Sequence, residues 1–206
     1  KVIKANKNRP FFLYLAHWGP HTPLQATRED YEALEGIEPH RKRVYAGMVR
    51  AVDRSVTRIL DTLEAEGIAD NTLVVFTSDN GGMLNNTGQK AWRAGHCLNG
   101  KLLGFKFGAW EGGHRVPFIV RWPGKVPAGT QSDALVSQID LVATFAEAAG
   151  TKVPEGAVVD SVSQWAEFAG KAVEPARDLL IISPNSPKHL AIRKDKWVFI
   201  SDRDEG

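Results

Sequence analysis

Phe11-Phe-Leu-Tyr-Leu-Ala16 is a continuous apolar run, the pattern of a strand buried on both faces. It gives way to His17-Trp-Gly-Pro-His-Thr-Pro23, a loop punctuated by one glycine and two prolines. From Tyr45 the apolar residues fall at 45, 48, 49, 52, 56, 59, 60 and 63, with Arg50, Arg54, Arg58 and Asp61 on the opposite side. That spacing predicts a helix over Tyr45–Glu66, and Gly67 stands where a terminating C′ residue belongs. Asp70-Asn71 turns the chain into Leu73-Val-Val-Phe-Thr77, read as a second buried strand. A third runs from Pro117 to Trp122 and leaves through Pro123-Gly124. Ser137-Gln-Ile-Asp140 reads as a capping box opening a helix that reaches Ala149 and stops at Gly150. Residues 151–175 look weakly structured. Beyond them 179–183, 189–193 and 196–201 read as strands, with Lys194-Asp195 turning between the last two.

Buried strands alternating with amphipathic helices through residue 150 predict an α/β fold with a mostly parallel, doubly wound sheet. The final strands, with no helix between the last two, predict a small antiparallel appendage. The expected division is a main α/β domain over 1–175 and the start of a small antiparallel subdomain over 176–206. Residues 81–104 are rich in Gly, Asn and Lys and lack periodicity; so long an irregular loop is usually functional or disordered.

Composition narrows the classes. The 206 residues are 43% hydrophobic and 24% charged, ordinary values for a globular protein. No apolar run reaches the ~18 residues of a membrane span. Net charge is +2 with both signs interspersed. The four cations between Lys1 and Arg9 have no aromatic interleaving or nucleic-acid motif beside them, so nucleic acid is not an expected partner. The single cysteine, Cys97, rules out an internal disulfide and a multi-thiolate zinc site; it reads as small apolar filler or an inert thiol.

In open α/β sheets ligands bind beyond the carboxyl ends of the strands. His21 follows the first predicted strand and Asp79-Asn80 the second, which puts an imidazole and a carboxylate-amide pair on one rim. The loop carrying Lys106 enters its strand at 117 and must fold back to join them. Asp79-Asn80 offers adjacent oxygen ligands for a hard cation, Ca²⁺ or Mg²⁺, or is an ordinary Asp-Asn-Gly turn. His21 alone is a loop histidine and Lys106 alone a surface lysine. In a glycine-rich loop such a lysine is a point charge suited to an anion.

Pro20-His-Thr-Pro23, Thr77-Ser-Asp-Asn-Gly81 and Lys106 with Glu111-Gly112-Gly113 occur in that order, with the predicted helix between the first two. Together they resemble the sulfatases of the alkaline-phosphatase superfamily, well over Arg9–Gly150 and loosely beyond. The resemblance implies an alkaline-phosphatase-like sheet and hydrolysis of a sulfate ester, a small molecule or a sulfated glycan. It implies Ca²⁺ (or Mg²⁺) on Asp79 and Asn80, and His21 and Lys106 binding the ester sulfate as substrate-binding and catalytic residues. Arg115 fits a common family position, His114 has no assigned role, and a periplasmic or secreted location is favoured. Asn99–Lys106 is similar to the family's Asn-x-Pro-Leu-Arg-Gly-x-Lys approach, with Lys101 for proline and Leu103 for arginine.

Family sulfatases carry Cys/Ser-x-Pro-x-Arg, whose first residue becomes the formylglycine nucleophile. Cys97-Leu-Asn-Gly-Lys101 does not match: Asn99 replaces proline, Lys101 replaces arginine, and it follows the metal motif instead of preceding it. The paired N-terminal aspartates of the metal site are also absent. The chain starts without Met, almost directly in a strand, and reads as an internal fragment expected to be inactive by itself. Two alternatives stay open: a phosphodiesterase or phosphonate hydrolase of the same superfamily, and a non-catalytic relative that binds sulfated glycans.

Overall fold

The structure is a computed structural model describing residues 1–83, 86–185 and 189–201, with only the backbone at Asn86 and Thr87. The chain divides into two compact units, Lys1–Thr72 and Leu73–Gly206.

The first unit is helical: α1 (Val2–Asn6), α2 (Arg28–Glu32) and α3 (His40–Ala65). The long periodic stretch is indeed one helix, α3, beginning five residues earlier than its apolar pattern. It ends as a Schellman motif: Gly67 at φ 68° donates to the Glu64 carbonyl and Ile68 to that of Leu63. Ile3, Met48, Leu63 and Ala69 are the buried apolar positions of this unit. Arg50 and Arg54, assigned by periodicity to the wet side, instead converge on Asp30, which is fully buried. Thr27 caps α2 and also donates its hydroxyl to Asp30, and the guanidinium groups hold that carboxyl far below the usual carboxylate range.

Phe11–Ala16, read as a strand, forms no strand ladder among the described residues, and Phe12 and Tyr14 are 77% and 81% exposed. Apolar character alone marks a segment fit to be buried; a strand exists only when a neighbour supplies the ladder.

The second unit contains β1 (Val74–Thr77), α4 (Asn86–Arg93), α5 (Glu111–His114), β2 (Phe118–Arg121), α6 (Leu141–Ala148), α7 (Trp165–Phe168), β3 (Leu179–Ile182), β4 (Ala191–Lys194) and β5 (Trp197–Ile200). Segment 81–104, read as irregular, includes the two-turn α4, and its residues 84 and 85 lie outside the described set. Residues 151–175 include the single turn α7. The capping box is present, with Ser137 and Asp140 bonded reciprocally, and Gly150 closes α6 at φ 71°.

Every strand pair among the described residues is antiparallel: β1 with β2, and β3–β4–β5 in sequential order. The terminal antiparallel strands agree with the sequence reading; of the expected subdomain over 176–206, residues 186–188 and 202–206 lie outside the described set. The β1–β2 pairing differs from the expected parallel arrangement. The Gly81 amide, four residues past the end of β1, donates to the Gly113 carbonyl, five residues before β2, at 2.9 Å. The chain therefore re-enters at the end where β1 left, and β2 must run back along it. A parallel neighbour would need a crossover to the opposite end.

Candidate sulfate and cation site

Asp79 and Asn80 emerge directly from β1, and the turn is held from both sides. The Ser78 hydroxyl donates to the Asn80 carbonyl at 3.0 Å, and Gln138 Nε2 donates to the Ser78 carbonyl. Asn80 Nδ2 donates to the Gly81 carbonyl at 3.2 Å, which leaves Oδ1 as the side-chain oxygen able to meet a cation. The Asp79 carboxylate beside it is exposed. This donor chemistry fits a hard cation, but two side-chain oxygens are a partial set for Ca²⁺, which takes about six to eight. Among the described residues no three His, Cys, Asp or Glu side chains cluster as metal ligands.

The Lys106 loop folds back onto this turn. Lys106 N–H donates to the Gly82 carbonyl at 2.9 Å, only three residues from Asp79. Asn99 staples the two segments: its Oδ1 accepts from Gly82 N–H at 2.7 Å, and its Nδ2 donates to the Gly104 carbonyl at 3.0 Å. That is the structural use of the asparagine that opens the family-like approach to Lys106. Lys106 is half-buried, whereas Lys101 in the same loop is exposed. Its ammonium lies 5.4 Å from the Phe107 ring centre, and among the described residues no carboxylate pairs with it.

Glycines permit this backbone-on-backbone packing. A Cβ on Gly81 would stand 1.8 Å from the Gly112 carbonyl oxygen, and one on Gly112 would stand 2.1 Å from that of Gly104. Gly81→Ala should thus part the two segments and cost about 1–3 kcal/mol, the scale of overpacking. The check is thermal unfolding with amide exchange at Gly81 and Lys106. Unchanged protection at both amides would show that the clasp does not depend on this contact.

Glu111, the first residue of α5, sits between two arginines: Arg115 at 3.1 Å on one oxygen and Arg193 of β4 on the other. Burial works to raise its pKa, but the hydrogen bonds from Arg115 and Arg193 hold it below the usual carboxylate range. Burial pushes the His114 imidazole downward against the opposing charge of Glu111. Neither Arg193 nor Gln138 carried a local sequence signal, since both meet the site only through tertiary packing.

Asp79, Asn80 and Lys106 thus come together within the second unit. His21 belongs to the first. It is exposed, its ring packs edge-on to Trp18 at 5.7 Å between centroids, and its Nδ1 lies 2.8 Å from the Thr22 carbonyl. A carbonyl only accepts, so Nδ1 carries the proton in that contact.

Comparison with known proteins places the chain in a family. Residues 1–151 match the family model described as Sulfatase. An N-acetylgalactosamine-6-O-sulfatase of Bacteroides thetaiotaomicron is 33% identical over 205 residues, covering 98% of this chain and 38% of that protein. The steryl-sulfatase of Homo sapiens is 34% identical over 180 residues, covering 87% of this chain and 30% of that protein. The crystal structure of Ps i-CgsB in complex with k-i-k-neocarrahexaose superposes with a TM-score of 0.82 at 40% identity, over 98% of this chain and 44% of that one. The chain spans less than half the length of these relatives. With a family match over residues 1–151 and these identities, the chain belongs to the sulfatase family.

Proposed function

We propose that this chain supplies the anion- and cation-binding side of a sulfuric ester hydrolase. Asp79 and Asn80 would hold Ca²⁺ (or Mg²⁺), and Lys106 and His21 would bind the ester sulfate. The carrying observation is the clasp through Gly81, Gly82 and Asn99, which seats the Lys106 loop on the Asp79-Asn80 turn within a sulfatase-family chain. The residues proposed for the two functions share this backbone scaffold, which supports reading them as one site.

The division of labour follows from the side chains. Lys106 brings a positive charge to the sulfate oxygens, and a half-buried site strengthens that attraction relative to water. With the proton of His21 Nδ1 engaged at Thr22, Nε2 donates to a sulfate oxygen only in the imidazolium form. Both groups would stabilise charge that grows as the ester bond breaks. The cation, when bound, would draw charge from the sulfate oxygens. The formylglycine nucleophile is assigned to sequence outside these 206 residues, because no Cys/Ser-x-Pro-x-Arg segment occurs within them.

In the finer architecture we propose, the antiparallel β1–β2 pair joins a mostly parallel sheet of the alkaline-phosphatase type, with Phe11–Ala16 as one of its strands. The division into a main domain over 1–175 and an antiparallel subdomain from 176 belongs to the same proposal. The substrate class we favour is a sulfated glycan, since one relative is named for N-acetylgalactosamine 6-O-sulfate and one related structure holds a neocarrahexaose.

The test is a matched panel of sulfated oligosaccharides, aryl sulfates and phosphate esters, given to the full-length protein with Ca²⁺ and after chelation. Sulfate release, strongest from a glycan and reduced by chelation, is the expected result. Preferred phosphate-ester turnover would overturn the reaction class. Tight glycan binding with no turnover would make the protein a sulfated-glycan binder.

A further inference from the structure

The five residues after Lys106 are tied at three separate points to the antiparallel β3–β4–β5 sheet and the segment that follows β3. The Phe107 carbonyl accepts from the Asn185 amide at 3.1 Å. Ala109 is fully buried in a cluster with Ile182 and Ala191, against which Leu180, Val198 and Ile200 pack. The Glu111 carboxylate receives Arg193 from β4. Phe107 itself stands at φ 83°, a conformation a non-glycine residue holds only when its surroundings impose it.

Of these ties, the third differs in kind. It is made by side chains alone, between residues 82 apart in sequence, so a substitution can remove it while the backbone bond and the apolar seat remain. The Arg193 and Glu111 side chains are 23% and 26% exposed, so solvent screens the pair less than it would at the surface. Arg115, with a side chain 58% exposed, takes the other Glu111 oxygen from within the same helical turn, and so cannot locate the loop against anything else. From Glu111 the constraint passes directly into the clasp. Gly112 N–H donates to Leu103 at 2.7 Å, and the Gly113 carbonyl accepts from Gly81.

We propose that Arg193 is a positioning residue. Through Glu111, the antiparallel sheet sets where the Lys106 ammonium stands relative to Asp79-Asn80. This rests on the proposed role of Lys106 at the ester sulfate. A residue acting this way changes the geometry of charge stabilisation more than it changes substrate capture. Displacements near 1 Å at a reacting centre can cost about 100-fold in rate.

The decisive experiment is a double-mutant cycle in the full-length enzyme assayed on an aryl sulfate, with Arg193→Ala, Lys106→Ala and the double variant. Arg193→Ala is expected to lower kcat about 10- to 100-fold with KM within about threefold, and Arg193→Lys to recover part of the loss. In the Lys106→Ala background the same substitution should cost less than about threefold, because the group it positions is gone. Should Arg193→Ala fail to fold, Glu111→Gln, which keeps shape and removes charge, takes its place in the cycle. Additive effects, or a normal kcat for Arg193→Ala and Glu111→Gln while Lys106→Ala remains severe, would overturn the positioning role and leave the site reading intact. A normal rate for Lys106→Ala would overturn both.

Discussion

Lys106→Ala should lower kcat/KM for sulfate-ester hydrolysis by about 100- to 1000-fold in the full-length enzyme, with little change in melting temperature. The magnitude is that of removing one donor from an oxyanion-binding site, about 2.7–4 kcal/mol. Two structural facts make the side chain dispensable for folding. The anchoring bond to Gly82 is made by the Lys106 backbone amide, which alanine retains. The ammonium has no carboxylate partner among the described residues, so truncation strands no buried charge. Lys101→Ala is the matched control: a cation five residues away in the same loop, but exposed. It should leave both rate and stability near normal. Equal behaviour of the two variants, or near-normal activity for Lys106→Ala, would make Lys106 a solvated surface lysine.

The largest effect on stability is expected at Asp140, and Asp140→Ala should cost about 3–5 kcal/mol, the usual result of stripping a partner from a buried ion pair. Its side chain is fully buried. One carboxylate oxygen accepts from Val162 N–H at 3.1 Å and Arg177 at 2.5 Å. The other accepts from Ser137 N–H, Gln164 Nε2 and Arg177 Nε at 3.0–3.1 Å. Removing it leaves the Arg177 guanidinium, 13% exposed, without its counter-ion. Urea unfolding at pH 7 measures the loss, and a value under about 1 kcal/mol would refute the assignment.

The pH dependence has a definite sign. Burial would raise the Asp140 pKa, but hydrogen bonds from Arg177, Val162, Ser137 and Gln164 hold it below the ordinary aspartate value. A depressed folded pKa stabilises above the unfolded value of about 3.9, and that contribution is lost as pH falls through the folded one. The wild-type advantage over Asp140→Ala should accordingly be whole at pH 6–7 and shrink steadily below about pH 4.

Much of this was legible in the sequence wherever the deciding forces are local. The period of apolar residues from Tyr45 to Leu63 marked α3, because an amphipathic helix needs only neighbours three and four residues away to define its face. Gly67 and Gly150 marked helix ends because a left-handed C′ position is nearly free only for glycine. The Ser137–Asp140 box, β1, β2 and the three terminal strands were readable for similar reasons. The candidate residues Asp79, Asn80, Lys106 and His21 were legible as well, because each lies in a short motif whose order along the chain is informative by itself.

What periodicity could not carry was partnership. Phe11–Ala16 has the composition of a buried strand and stands largely exposed, since burial depends on which segment lies beside it. The antiparallel sense of β1–β2 was set by one contact, Gly81 to Gly113, between residues 32 apart in sequence. Arg50 and Arg54 looked like solvated helix charges until Asp30 was placed beneath them. Arg193 lies 82 residues from Glu111, and no local pattern could couple them. The sequence by itself determined α3, α6, their glycine ends and which residues are candidates for the site, all governed by interactions within a few residues. Only the tertiary structure decided strand direction, charge pairing and the seating of the Lys106 loop, because those energies arise between groups that chain folding alone brings within reach.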